Sequence, residues 1–401
     1  MWSEIFDRRL DEIRAADRWR QLRPLTAGTG DTVLCDTGEH LVSFASNDYL
    51  GLSQHPSVRR AAVETIGRYG TGAGSSRLIV GSRSLHHELE DALASYKKAE
   101  AALVFPTGYQ ANLGALGAIC AASSALPVLI CDELNHASLI DGSRLARADV
   151  EVYRHRDTEH TEALLRKHPG RPAVIVTDSV FSMDGDLAPI GRLSALAAQH
   201  RALLLLDDAH DVFEDLEEPH PGCTVVRVGT LSKTLGSLGG FVTGSRPLVH
   251  LLVNTARSGI FTTAPTPAQC AAALTAIELV EGSEGERLRS RLRGYVDTLA
   301  PGHPTAILPV LLGEEHRALE VANELLARGM LVPAIRPPTV PPGSSRLRIT
   351  LSALHSREQI QALADALTDL QLTPGLAEMR STMGHAAVVA AQTDPARQDS
   401  R

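Results

Sequence analysis

Basic residues are in deficit in this chain. Lys and Arg number 39 against 47 Asp and Glu, a net charge of -8. The bases are spread along the sequence, so there is no electrostatic footprint for a nucleic-acid backbone. Cysteine is scarce as well. The five present (Cys35, Cys120, Cys131, Cys223, Cys270) are odd in number and too widely spaced for a zinc set, so core thiols in a reducing cytoplasm are expected and no metal site is. Long apolar runs are missing, even in "ALLLLDDAH", which excludes a helical membrane span. The opening "MWSEIFDRRLDEIRAADRWRQLRP" alternates acid with base and has no apolar centre, so it reads as an amphipathic surface helix and not as a secretory signal. No internal repeat is visible.

What is present describes an ordinary globular protein, 43% hydrophobic and 21% charged over 401 residues, long enough for one large domain and a smaller one. From about Ser46 to Val280, amphipathic helices alternate with short apolar runs: "AALVF", "PVLIC", "PAVIVTD", "ALLLLDD", "TVVRVG" and "GFVTG". Runs of that kind are strands buried on both faces, hence a largely parallel sheet covered by helices. Ligands of such sheets gather beyond the carboxyl ends of the strands. After Gly282 the pattern changes. Strand-like "AILPVLLG", helical "EEHRALEVANELLARG", extended "LVPAIRPPTVPPGSSRLRITL" and a helix from Ser356 to about Leu370 suggest a small α/β domain. The expected division is 1–45 as an N-terminal helix and segment, 46–282 as the large domain, 283–372 as the small one, and a mobile tail over 373–401.

Candidate chemistry falls at the strand ends. "LLLLDDAH" places Asp207 and His210 after a buried run, and "VGTLSKTLGSLGG" sets Lys233 among small residues with no acid beside it. Taken singly these are a turn aspartate, a core histidine and a surface lysine. Together they offer a buried carboxylate for a protonated ring nitrogen and an amine for a Schiff base. In "FPTGYQANLGAL", Thr107, Gly108 and Tyr109 open a helix after a strand, where free N–H groups can bind phosphate. "RYGTGAGSSR" follows a helix instead, which argues against a dinucleotide loop.

In order along the chain, "SNDYLGL", "GTGAGSSRLIVG", "LHHELE", "TGYQAN", "LNHASLIDG", "DSVFSMDGD", "DDAH", "GTLSKTLGSLGG" and "RPPTVPPGSSRLRITL" resemble the α-oxoamine synthase family of pyridoxal 5'-phosphate (PLP) enzymes, over about Ile13 to Leu370. The resemblance implies fold type I, the aspartate aminotransferase-like α/β architecture, and condensation of an amino acid with an acyl thioester (CoA or carrier protein) with loss of carbon dioxide. It implies that Lys233 carries PLP and takes the substrate's α-proton. Asp207 would meet the ring nitrogen, His136 the ring face, and His210 and Ser182 the phenolic oxygen. Thr230 and Ser232 would join the Thr107–Tyr109 turn on the phosphate. Thr262 and Thr263 would reach the phosphate of a neighbouring subunit, hence a homodimer with shared sites. Arg348 would hold the amino-acid carboxylate, with Asn47 assisting and Arg336 as a second candidate. Ser76, where the glycine-specific members tend to carry threonine, leaves room for the methyl of L-alanine.

Two features depart from the family. After "DDAH" the chain continues "DVFEDLEEPHPG", a shortened and acidic loop, and Ser75 replaces a glycine. The acyl donor therefore stays open, as do a relative acting on another thioester, a plain aminotransferase and a non-catalytic partner subunit.

Overall fold

The computed structural model describes residues 1–372 except positions 21, 23, 28–31, 36–37 and 39. The tail expected over 373–401 lies outside the described residues. Contacts divide the chain into two compact units: Met1–Ser46, Met183–Gly185 and Arg293 onward form one, Asn47–Ser182 and Asp186–Leu292 the other. The N-terminal segment thus belongs with the small domain and is not a piece of its own. The other boundary falls at Leu292, ten residues beyond the one expected, inside a continuous helix Ser283–Leu299. Among the described residues no helix is long and apolar enough to cross a membrane.

The first unit begins with the helix Trp2–Ala15, none of whose residues is buried. Strands β1 (Leu25–Ala27), β2 (Thr32–Cys35) and β3 (His40–Ser43) follow as an antiparallel meander.

In the second unit seven strands make one sheet: β4 (Ala101–Phe105), β5 (Val128–Asp132), β6 (Asp149–Tyr153), β7 (Ala173–Asp178), β8 (Leu203–Asp207), β9 (Thr224–Thr230) and β10 (Gly240–Gly244), in the order β4-β10-β9-β8-β7-β5-β6. Only β10 runs against its neighbours. Because side chains alternate across a strand, each apolar run feeds two cores. Val128, Ile130, Ile175, Leu204 and Leu206 face the helix Ile190–His200 through Leu193 and Leu196. Leu129, Val174, Val176, Leu205 and Val228 share the opposite core with Ala111, Ala115 and Leu116 of the helix Gly108–Ala121. Burial on both faces is why these strands read as uninterrupted apolar runs. The edge strand β6 was not among them: Asp149, Val150 and Val152 are exposed and only Tyr153 of "DVEVY" is buried, so it carries no apolar run. Asp132, Asp178, Asp207 and Thr230 terminate β5, β7, β8 and β9, and the register pairs Asp178 with Asp207. The apolar interior stops there, and the helix Gly108–Ala121 starts at the same edge.

The rest of the first unit is a three-stranded antiparallel sheet with β14 (Ser345–Thr350) between β11 (Ile307–Gly313) and β13 (Ala334–Ile335). Strand β12 (Met330–Leu331) pairs in parallel with β3, Met330 opposite Val42, which draws the N-terminal meander into this unit. Arg346 of β14, fully buried, reaches Asp184 at 2.6 Å, and the Thr305 hydroxyl donates to the Gly185 carbonyl at 2.7 Å. These bonds explain why the three residues 183–185 belong here.

Gly240 opens β10 opposite Phe105 and Thr230. A Cβ there would stand 2.5 Å from the Thr107 carbonyl carbon and the Gly108 nitrogen, both backbone atoms with little freedom to move. Gly240→Ala should therefore lower the unfolding free energy by about 2 kcal/mol. Urea denaturation measures this, and an unchanged midpoint would contradict the close approach.

Candidate active site

At this edge of the second unit lies a cavity of about 270 Å³. Thr107 caps the helix Gly108–Ala121, its Oγ1 accepting from the Gln110 N–H at 3.1 Å, so the first N–H groups of the helix stay available beside the cavity. Gly108 permits a tight approach, since a Cβ would stand 3.2 Å from the Thr230 Cβ. The hydroxyls of Thr230 and Ser232 lie 2.7 Å apart on the facing loop, and the Tyr109 hydroxyl donates to Asp141. Lys233 comes next in that loop. Its Nζ stands 2.9 Å from Nε2 of His210, whose Nδ1 is 2.5 Å from the Tyr49 hydroxyl. The lysine without an acid in sequence meets an imidazole in space.

Asp207, 4% exposed, is held by two donors: Nδ2 of Asn112 at 2.6 Å and the Ala209 N–H at 3.0 Å. The second hydrogen of the Asn112 amide goes to Ser138 Oγ at 2.8 Å, and that hydroxyl lies 2.7 Å from Nδ1 of His136. Nδ1 also accepts from the Ser138 N–H at 3.2 Å, so this ring nitrogen is an acceptor. Burial holds His136 below the usual histidine range, opposed in part by the charge of Asp207. On the adjacent strand, burial and then the charge of Asp207 push the Asp178 carboxyl well up. Asp178 accepts the His136 N–H at 2.7 Å.

The cavity lining therefore gathers Thr107, Gly108, Tyr109, His136, Asp207, His210, Thr230, Ser232 and Lys233 from segments up to 126 positions apart. Asn47, Ser76, Ser182, Thr262 and Thr263 share this unit and do not line it. Asn47 Oδ1 accepts from the Tyr49 hydroxyl at 3.4 Å. Ser76 precedes the turn Arg77–Gly81, and next to it Ser75 O accepts the Ala264 N–H at 3.0 Å, which brings this loop to Thr262 and Thr263. Ser182 follows Phe181 after β7. Arg336 and Arg348 belong to the first unit: Arg336 donates to the carbonyls of Asp17 and Trp19, and Arg348, buried on β14, donates to Thr350 Oγ1 at 2.8 Å. Asn112, Ser138, Asp178, Ala209 and Tyr49 were not singled out from the sequence. All five stand inside quoted motifs, Asn112 one helical turn from Gly108 and Ser138 two residues from His136, which is the signal that marks them.

This donor set fits PLP. Helix N–H groups and two hydroxyls suit a phosphate, an amine suits an aldehyde, and a buried carboxylate suits a ring nitrogen. Asn112 Oδ1, buried in the lining, has no partner among the described residues and remains open to a ligand. Fold and site together define a PLP-dependent enzyme of fold type I. The model of the family "Aminotransferase class I and II" matches residues 39–367. The 8-amino-7-oxononanoate synthase of Methylobacterium sp. strain 4-46 is 45% identical over 90% of this chain and 95% of its own. That of Geobacter sulfurreducens is 42% identical over 89% and 95%. A serine palmitoyltransferase from S. paucimobilis, solved with PLP and myriocin bound, superposes with a TM-score of 0.83 at 27% identity, covering 91% of this chain and 97% of that one. The chain belongs to the class I and II aminotransferase family, within its α-oxoamine synthase group.

A carboxyl with a raised pKa in the fold binds its proton more tightly than in the unfolded chain, so its ionisation increasingly favours unfolding as pH rises above the ordinary carboxylate range. Asp178→Asn removes that liability and keeps the shape. It should be at least as stable as the parent at pH 8 and lose that relative advantage by pH 4, compared by urea denaturation. Greater destabilisation at pH 8 than at pH 4 would show that Asp178 is needed as an anion.

Proposed function

We propose that the chain condenses an amino acid, L-alanine by preference, with an acyl thioester and releases carbon dioxide, acting as an 8-amino-7-oxononanoate synthase of biotin synthesis. The observation that carries this is Lys233 Nζ opening on a cavity that Asp207 and the phosphate-binding turn also line. The names of the relatives supply the substrate class. PLP, when bound, supplies an electron sink for charge developing at the substrate's Cα.

In this reading the N–H groups of Gly108 and Tyr109 and the hydroxyls of Thr107, Thr230 and Ser232 bind the phosphate. Asp207 holds a proton on the ring nitrogen, oriented by Asn112 and Ala209. His136 covers the ring face. Lys233 Nζ would hold the cofactor's aldehyde group, and as an amine beside the substrate's Cα it would serve as the base for the α-proton. His210, between Lys233 Nζ and the Tyr49 hydroxyl, keeps that amine in place. Ser182 and Asn47 do not line the cavity, and their roles rest on the family pattern.

Borohydride treatment of the yellow protein should fix a pyridoxyl group on the peptide that contains Lys233 and on no other lysine. A panel of acyl thioesters with L-alanine, glycine and L-serine, read by mass spectrometry, should show a keto-amine product with a pimeloyl thioester, and alanine preferred about 5- to 10-fold over glycine if one buried methyl is worth about 1 kcal/mol. Turnover with a keto acid and with no thioester would make the chain a plain aminotransferase.

A homodimer belongs to the same proposal. Leu78, Ile79, Val80 and Phe261 are all more than half exposed. They flank the loop of Ser76 and the pair Thr262 and Thr263, residues that do not line their own chain's cavity. An apolar surface of this kind suits a second copy that receives these residues into its site. The free, buried thiols of Cys120, Cys131 and Cys270 are in keeping with a cytoplasmic location. Analytical ultracentrifugation should give twice the chain mass of 42.9 kDa. A single-chain mass at micromolar concentration would overturn the shared site.

A further inference from the structure

Away from the cavity, a second charged cluster joins three loops of the same unit. Asp132 ends β5 and is buried. Its Oδ1 accepts the Leu134 N–H at 2.9 Å, its Oδ2 the Arg156 N–H at 2.9 Å, and its carbonyl the Asn135 N–H at 3.2 Å. His155, two residues past β6, stands with Nδ1 2.9 Å from Asp132 Oδ1 and Nε2 2.8 Å from Asp186 Oδ2. Its ring meets Phe181 edge-on, at 4.4 Å between centroids and 88°. Also beside it are the Glu133 carboxylate, which accepts the His155 backbone N–H at 2.8 Å, and the Arg156 guanidinium, 3.3 Å from Asp186.

We propose that His155, clasped between Asp132 and Asp186, is a positioning residue that fixes the turn delivering His136 to the cavity. The chain of contacts is continuous. Asp132 organises Leu134 and Asn135, Asn135 Nδ2 donates to the Val176 carbonyl at 2.9 Å and its Oδ1 accepts the Asp178 N–H at 3.2 Å, and the His136 N–H then lands on Asp178. Both ring nitrogens of His155 face carboxylate oxygens, which as anions only accept, so both must donate and the ring is an imidazolium. Its two anions push it up to about 9 against the cost of burial. The support it gives the turn is fully present below its ordinary value of about 6.5 and is lost as pH rises through about 9.

The inference rests on the PLP reading of the cavity, and the test separates the two. PLP is titrated into the full-length chain between pH 7.5 and pH 10, with affinity read from the visible band, and thermal stability is followed in parallel. In the parent, affinity should fall at least ~5-fold across a midpoint near pH 9. Asp186→Asn leaves His155 with one carboxylate and should move that midpoint down by about one pH unit. His155→Asn, which cannot titrate, should bind at pH 7.5 as weakly as the parent does at pH 10, with that step gone. The Asp186→Asn shift carries the test if His155→Asn does not fold. Isotope-labelled histidine resonances should show one ring titrating near pH 9 in the parent and lower in Asp186→Asn. If both variants lose thermal stability while the affinity step stays where the parent has it, His155 is merely structural and the inference is overturned alone. A parent that bound no PLP at pH 7.5 would overturn the cofactor reading and this inference with it.

Discussion

Parallel strands deliver their carboxyl ends to one edge, and here three of the four central strands end in an aspartate that is buried. A carboxylate withdrawn from water costs several kcal/mol unless donors or a proton replace its hydration. The geometry of the site follows from how each of these costs is met. Asp207 receives the Asn112 amide and the Ala209 N–H. Asp178 takes the His136 N–H, and burial beside Asp207 drives it toward its protonated form. Asp132 takes two backbone N–H groups and an imidazolium. Every donor enlisted in this way belongs to a segment that lines the cavity or to one that supports such a segment.

The same logic applies to buried Asp208, and several acids of the shortened loop after it also find partners. Asp208, directly after Asp207, is bound by Arg227 through both oxygens at 3.1 and 2.9 Å. Asp211 meets Lys97 at 3.3 Å, and Glu214 meets Arg289 at 3.4 Å and the Tyr96 hydroxyl. Glu217 accepts the Gly191 N–H at 2.7 Å, at the positive end of the helix Ile190–His200. Glu214, Asp215, Glu217 and Glu218 are all exposed, and the ties made by Asp211, Glu214 and Glu217 fasten the loop that follows His210 to its neighbours.

The central strands were legible because burial on two faces leaves an unbroken apolar run, and their last residues were legible because a charge stands where that run stops. Lys233, Asp207, His210, His136 and the Thr107–Tyr109 turn could be placed on that basis together with the family pattern. The edge strand β6 was not, since at the sheet edge only Tyr153 of its five residues is buried and polar residues are tolerated between its valines, and His155 just beyond it carried no signal. Nor could sequence show Asn112 as the link between Asp207 and Ser138, because within its helix it looks like any polar residue. The division into units depends on contacts between remote segments, Met330 with Val42 and Arg346 with Asp184, which no local pattern encodes.

Two histidines show how much such partners decide. His136 and His155 are joined by a short path through Asp132, Asn135 and the intervening turn; His136 keeps an exposed side at the cavity while His155 is half-buried, and the surrounding protein by itself disfavours the charged ring in each. His136 meets a hydroxyl and a backbone N–H at Nδ1, neither of which requires a proton on that nitrogen, and burial prevails. His155 meets a carboxylate at each nitrogen, and attraction to two anions outweighs the same penalty. The ring held below the usual histidine range is the one beside the cavity. The charged ring is kept one loop away, where its two hydrogen bonds hold loops together.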